Sequence, residues 1–249
     1  LTLFKNMKNF IDINDSKNAD VRLYSIHHAG GSHMLYRPWA HLLPGWIKCI
    51  ALELPGRGMG FGEPFLKSME QVIELFLNQI QTDKPFAIFG HSMGGLIAYE
   101  LTLRLQNLGT PPVWLGISAF KPPHLKNKEN LSRASLSDSE LIEYLEKLGG
   151  SKDFCEDHAV MKMMLDIVRS DFRIIESWRM SDVKINDKTT VHGFSGLHDA
   201  VATPQMISSW KDYINGKFLH STFDGDHFYL NSFPSSLINK IASDLNFNR

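Results

Sequence analysis

The sequence predicts an α/β fold: a mostly parallel central sheet with helices on both faces and a helical lid inserted late in the chain. Three observations carry this. Short apolar runs near 21–26, 47–52, 86–89 and 113–118 alternate with helical patterns near 69–81 and 95–106, the rhythm of strands joined by crossover helices. The run Phe86 to Phe89 passes through Gly90-His91-Ser92-Met93-Gly94 into a helical face of Leu96, Ala98, Tyr99, Leu103 and Leu105 that ends before Gly109. After residue 120 the alternation stops, and Lys121 to Asp187 reads as helical before strand-like runs return at 190–194 and 218–223.

Each later element has its own signal. Ser137-Asp138-Ser139-Glu140 is a capping box, followed by Leu141, Leu145 and Leu148 and closed by Gly149. A second helical run from Asp157 carries Met161, Met164, Leu165, Val168 and Phe172. Residues 1–249 are expected to form one domain, with the insertion at about 121–187 placed as a lid over Ser92.

Composition sets limits on function. The net charge of −1 points to neither nucleic acid nor an anionic membrane surface. No stretch approaches a membrane span, and the start from Leu1 to Ile13 alternates apolar residues with lysine and asparagine. Cys49 and Cys155 lie far apart and read as reduced thiols, so a cytoplasmic setting is expected.

Ser92 is the candidate nucleophile. A serine at a sharp strand-to-helix turn has its hydroxyl exposed and the next backbone N–H directed at the substrate, and Gly90 and Gly94 suit a turn where a Cβ would clash. This nucleophile elbow belongs to the α/β-hydrolase arrangement, which requires an acid and then a histidine later in the chain. His227 lies in Phe223-Asp224-Gly225-Asp226-His227-Phe228, a turn after a strand-like run and a suitable place for a base. His192 reads as a strand residue, and His124, His158 and His220 as surface or lid residues. No Asp or Glu occurs from Leu101 to Lys128, so the acid is expected one strand later, at Asp199 beyond Thr190 to Phe194. Asp224 and Asp226 stand too close to His227 along the chain to orient it and are read as shaping the turn. No set with recognised zinc spacing appears, so no metal is expected. The loop His27-His28-Ala29-Gly30-Gly31-Ser32 follows the first strand, and the N–H groups of Ala29 and Met93 are the expected oxyanion donors.

These residues resemble the type II thioesterases of polyketide and non-ribosomal peptide assembly lines, over nearly the whole chain. His28-Ala29-Gly30-Gly31 with Tyr36 and Trp39 looks like that family's amino-terminal signature, with His27 where a proline is usual. Leu54-Pro55-Gly56-Arg57 matches its Pro-Gly-Arg loop, although the second arginine common there is missing from Gly58-Met59-Gly60-Phe61, so no salt bridge is carried over at that loop. Pro122-Pro123-His124 and Asp226-His227-Phe228 resemble its later motifs. The resemblance implies acyl groups tethered through phosphopantetheine to acyl or peptidyl carrier proteins as substrates and partners, and no cofactor of the enzyme's own; a monomer is expected.

The expected chemistry is two-step acyl transfer. Ser92 attacks a thioester carbonyl with His227 as base and Asp199 orienting the imidazole; water then clears the acyl-serine. Without the resemblance the residues support a serine esterase or thioesterase. A thioesterase of fatty-acid synthesis, a carboxylesterase and a non-catalytic α/β-hydrolase receptor are the alternatives. Met161 and Met164 are candidate acyl-pocket residues, because methionine adapts to many shapes; Trp39 and Trp178 could touch the acyl chain or the carrier arm.

Overall fold

The computed structural model describes residues 8–125, 132–149, 157–232 and 234–246. In chain order the main elements are β1 (Phe10–Asp12), β2 (Val21–Ile26), β3 (Ile47–Leu52), α1 (Met69–Leu77), β4 (Phe86–His91), α2 (Met93–Asn107) and β5 (Trp114–Ser118). These are followed by α3 (Asp138–Lys147), α4 (His158–Ser177), β6 (Thr190–Gly196), α5 (Pro204–Ser208), β7 (Phe218–Phe223), α6 (Tyr229–Ser232) and α7 (Pro234–Asn246).

The strands form one seven-stranded sheet in the order β1-β3-β2-β4-β5-β6-β7. From β3 to β7 every pairing is parallel, and β1 is antiparallel to β3. Side chains alternate between two cores, as the strand period of two requires. On β2, Tyr24 and Ile26 face one core while Val21 and Leu23 face the other; on β4, Phe86 and Ile88 oppose Ala87 and Phe89. Met69, Val72, Ile73 and Phe76 of α1 and Leu96, Ile97 and Leu101 of α2 fill the first core. Tyr36 and Trp39, on the short 3-10 helix His33–His41, fill the second with Leu237, Ile238 and Ile241 of α7. The fold is that of an α/β-hydrolase.

The insertion has a small core of its own. Ala134, Leu141, Leu165, Val168 and Phe172 pack together there with Tyr144, Leu145 and Met161. Both expected helices form: α3 starts at the Ser137–Glu140 capping box, and α4 starts where the Asp157 carboxylate accepts the N–H groups of Ala159 and Val160. Cys155 falls outside the described residues.

The structure corrects some boundaries. The helix expected over 69–81 ends at Leu77, because the N–H groups of Gln79 and Ile80 turn back onto the Phe76 carbonyl and Ile80 folds against the core. The helix expected from 95 begins at Met93, directly on the elbow. The strand β1 was unforeseen; its three residues are too short for a periodic signal and are held by pairing with β3.

Candidate active site

Four strand ends converge on one point. The loop after β2, the turn after β4, the loop after β6 and the turn after β7 all lie at carboxyl ends of parallel strands, where the crossover geometry of such sheets leaves a crevice. Ser92 occupies the turn after β4, half-buried, with a φ of 55° and a ψ of −118°, outside the usual regions for a residue with a Cβ. Close packing enforces this turn: a Cβ on Gly90 would collide with the carbonyl of Gly94, and one on Gly94 with the carbonyl of Ile26.

Ser92 Oγ lies 2.9 Å from His227 Nε2, and His227 Nδ1 lies 2.8 Å from Asp199 Oδ2. The structure thus brings together the three residues chosen from the sequence. A carboxylate beside Nδ1 favours a proton there, leaving Nε2 to accept the serine hydroxyl's hydrogen. Asp199 Oδ1 accepts the N–H groups of Val201 at 2.8 Å and Ala202 at 2.9 Å, so each oxygen has a separate task. Burial pushes the Asp199 carboxyl up, but hydrogen bonding and charge from His227, with the two N–H groups, outweigh it and hold the group below its ordinary value.

Other candidate residues are elsewhere. His192 is buried within β6 between Asp244 and Ser221. Asp226 accepts the Phe228 N–H at 2.8 Å and shapes the turn, and Asp224 meets His198 at the surface. His124 stacks on Tyr213. Trp39 is a core residue, whereas Trp178 lines the cavity below and donates from Nε1 to Glu100 at 2.7 Å.

A cavity of about 340 Å³ opens on the triad, at the lower end of the roughly 300–1,000 Å³ usual for small-molecule sites. Ser92, His227, Ala29 and Met93 line it; Met93 is the first residue of α2, and its N–H has no intrahelical acceptor. Its apolar wall comes from Tyr144, Leu145 and Leu148 of α3 and its C-cap, Phe172 and Ile175 of α4, and Trp178. Met161 and Met164 are not in that wall. Met161 packs into the small core between α3 and α4, and Met164 is 43% exposed, because α4 turns its Phe172 and Ile175 face to the cavity.

Sequence reading missed Asp171. It lies in α4, fully buried, and takes both ends of the Arg57 guanidinium at 2.6 Å. The pair joins residues 114 positions apart, so no local pattern announces it. Removing one partner of such a buried pair costs about 3–5 kcal/mol. Among the described residues, no group of three or more His, Cys, Asp or Glu side chains is placed to hold a metal ion, and no helix is long and apolar enough to cross a membrane.

Residues 21–245 match the family described as the thioesterase domain. The chain is 32% identical to the protein named linear gramicidin dehydrogenase LgrE of Brevibacillus parabrevis, over 91% of this chain and 88% of that one. It is 31% identical to thioesterase TesA of Mycobacterium marinum, over 91% and 92%. The solved structure of RedJ, a thioesterase of the prodiginine biosynthetic pathway in Streptomyces coelicolor, superposes with a TM-score of 0.82 at 32% identity, covering 92% of this chain and 87% of that one. YbtT, a type II thioesterase of the yersiniabactin NRPS/PKS biosynthetic pathway, superposes with a TM-score of 0.82 at 26% identity, covering 94% and 97%.

Proposed function

The chain belongs to the thioesterase domain family, and from that premise we propose that it is a type II thioesterase that removes stalled or aberrant acyl groups from phosphopantetheinyl carrier proteins of a polyketide or non-ribosomal peptide assembly line. The observation that carries the mechanism is the continuous Ser92–His227–Asp199 hydrogen-bond chain at the floor of an apolar cavity. Ser92 Oγ attacks the thioester carbonyl as its proton passes to His227 Nε2. The Ala29 and Met93 N–H groups take the charge on the carbonyl oxygen. Collapse of the tetrahedral species breaks the C–S bond, and His227 returns the proton to the leaving thiolate. Water then attacks the acyl-serine with His227 as base, releasing the acid and restoring Ser92.

The cavity's composition supports the substrate class. Its apolar wall suits an acyl chain, while Lys121, Arg133 and Arg179, against the single carboxylate of Glu176, suit the phosphodiester of a carrier arm. The helices α3 and α4 that form the wall serve as a lid. A cytoplasmic site of action belongs to this reading, and the free thiol of Cys49 agrees with it.

The test is hydrolysis of a panel of acyl-carrier thioesters beside acyl-pantetheine thioesters of the same acyl groups. A higher kcat/KM on the carrier is expected, since docking delivers the acyl group in a productive pose. No carrier advantage at any acyl length would leave a general small-molecule thioesterase as the better description.

A further inference from the structure

We infer that Asp171 is a positioning residue for the oxyanion hole, fixing from α4 the peptide that follows the Ala29 N–H. The inference rests on the catalytic role given above to Ser92 and Ala29.

The Ala29–Gly30 peptide is held at both poles. Its N–H, on Gly30, donates to Asp171 Oδ2 at 2.7 Å. Its carbonyl, on Ala29, accepts from His28 Nδ1 at 2.8 Å, which places that ring's proton on Nδ1. Gly30 has a φ of +78°, a left-handed conformation that glycine adopts without strain, at the third position of a turn closed by the Gly31 N–H on the His28 carbonyl at 3.0 Å. Distant groups add to this local constraint. Asp171 is itself immobilised by both terminal nitrogens of Arg57, and the same Arg57 Nη1 reaches the carbonyl of Gly31 at 3.4 Å. Val168, one turn before Asp171, closes on Gly30 so tightly that a Cβ there would meet its Cγ2.

Three segments distant in sequence therefore meet at this turn: the loop after β2, the Pro-Gly-Arg loop after β3, and α4. The Ala29 N–H belongs to the preceding peptide, hinged to this one at the Ala29 Cα, so losing the Asp171 acceptor releases one side of the turn and lets the Ala29 N–H shift from the oxyanion. The arrangement also makes the second half of α4 a fixed wall of the cavity.

The experiment separates positioning from stability. In the double variant Arg57→Met with Asp171→Leu, an apolar pair replaces the ion pair, which tends to preserve stability, while the Gly30 acceptor is lost. In Asp171→Asn the ion pair is lost, but a carbonyl oxygen remains for Gly30. Turnover of an activated aryl ester is measured, so that the outcome does not hinge on the thioester assignment, together with Tm and the affinity for an alkylboronic acid, whose tetrahedral adduct on Ser92 occupies the oxyanion hole. The double variant is expected to lose about 10- to 100-fold in kcat and a similar factor in boronate affinity, with KM within about threefold and Tm near wild type. Asp171→Asn is expected to keep kcat within about fivefold despite a lower Tm. Should kcat follow Tm across both variants, or should the double variant retain wild-type kcat and boronate affinity, the positioning role is wrong. A wild-type protein active on aryl esters but inert on every thioester would instead reject the thioesterase reading and leave this one standing.

Discussion

Asp199 Oδ2 stands 2.8 Å from His227 Nδ1, and the other oxygen of the same carboxylate holds two backbone N–H groups of its own loop. The carboxylate cannot turn without breaking these bonds, so the loop after β6 dictates the imidazole's orientation. Chain order and strand position predict this interaction, and its geometry suits the orienting role.

Replacing Asp199 with Asn should therefore be costly. An amide that turns its NH₂ to Nδ1 favours the wrong tautomer, and the comparable change in a serine protease lowers kcat about 10⁴-fold. A drop of at least about 10³-fold is expected here. Asp226→Asn should cost less than about tenfold, since among the described residues its carboxylate holds the Phe228 N–H in the turn. Steady-state kinetics on one thioester decide between them; a larger loss at Asp226 would transfer the orienting role to that residue.

Acyl-length preference should follow the cavity wall and not the methionines. Leu145→Trp or Leu148→Trp fills space in the cavity and is expected to move the optimum to shorter acyl chains, by about tenfold or more in the ratio of kcat/KM values. Met164→Gln, on an exposed face, should leave the profile within about twofold. A profile that moves with Met164 and not with Leu145 or Leu148 would place the acyl chain outside the cavity.

Stability should fall on mild acidification. His27, His28 and His91 are held below the ordinary histidine range, chiefly by burial, and repulsion from neighbouring cationic groups acts the same way. Their folded pKa values lie below the unfolded one, so the unfolded chain binds more protons as pH drops through about 6.5. Stability is complete above that pH and is lost as pH falls toward the folded values, by up to about 1.4 kcal/mol per pH unit for each histidine. Asp199, also held low, adds to the loss only below about pH 4. Urea denaturation at pH 7.5, 6.5 and 5.5 checks this, and His91→Gln should flatten the slope. Equal stability at the three values would contradict neutral, buried histidines.

The parts of the site legible in the sequence are those with a local signature. Ser92 is visible because strand, glycine-flanked turn and helix are contiguous, and His227 because it sits in a glycine- and aspartate-rich turn after a strand-like run. Asp199 followed from elimination and from its place beyond a strand end. Arg57 was visible only as part of a loop; its partner Asp171 lies in a helix whose pattern speaks of packing, and only the folded chain joins them. The methionines failed for a related reason. Helical spacing shows which residues share a face, yet not which face meets the cavity, and that is set by how α4 docks against Gly30, α1 and α2. The edge strand β1 was hidden by its shortness.

The most direct measurement is thioester turnover by Ser92→Ala beside the mass of the wild-type enzyme after a fluorophosphonate probe. Ser92 is half-buried and contributes little packing, so the variant should keep the wild-type Tm within a few degrees. Turnover is expected to fall by at least about 10³-fold, leaving only what the oxyanion hole and binding supply. The probe should form one adduct, on Ser92, and none in the variant. Near-native thioester hydrolysis by Ser92→Ala, or an adduct mapped to another residue, would contradict the assignment of Ser92 as the nucleophile.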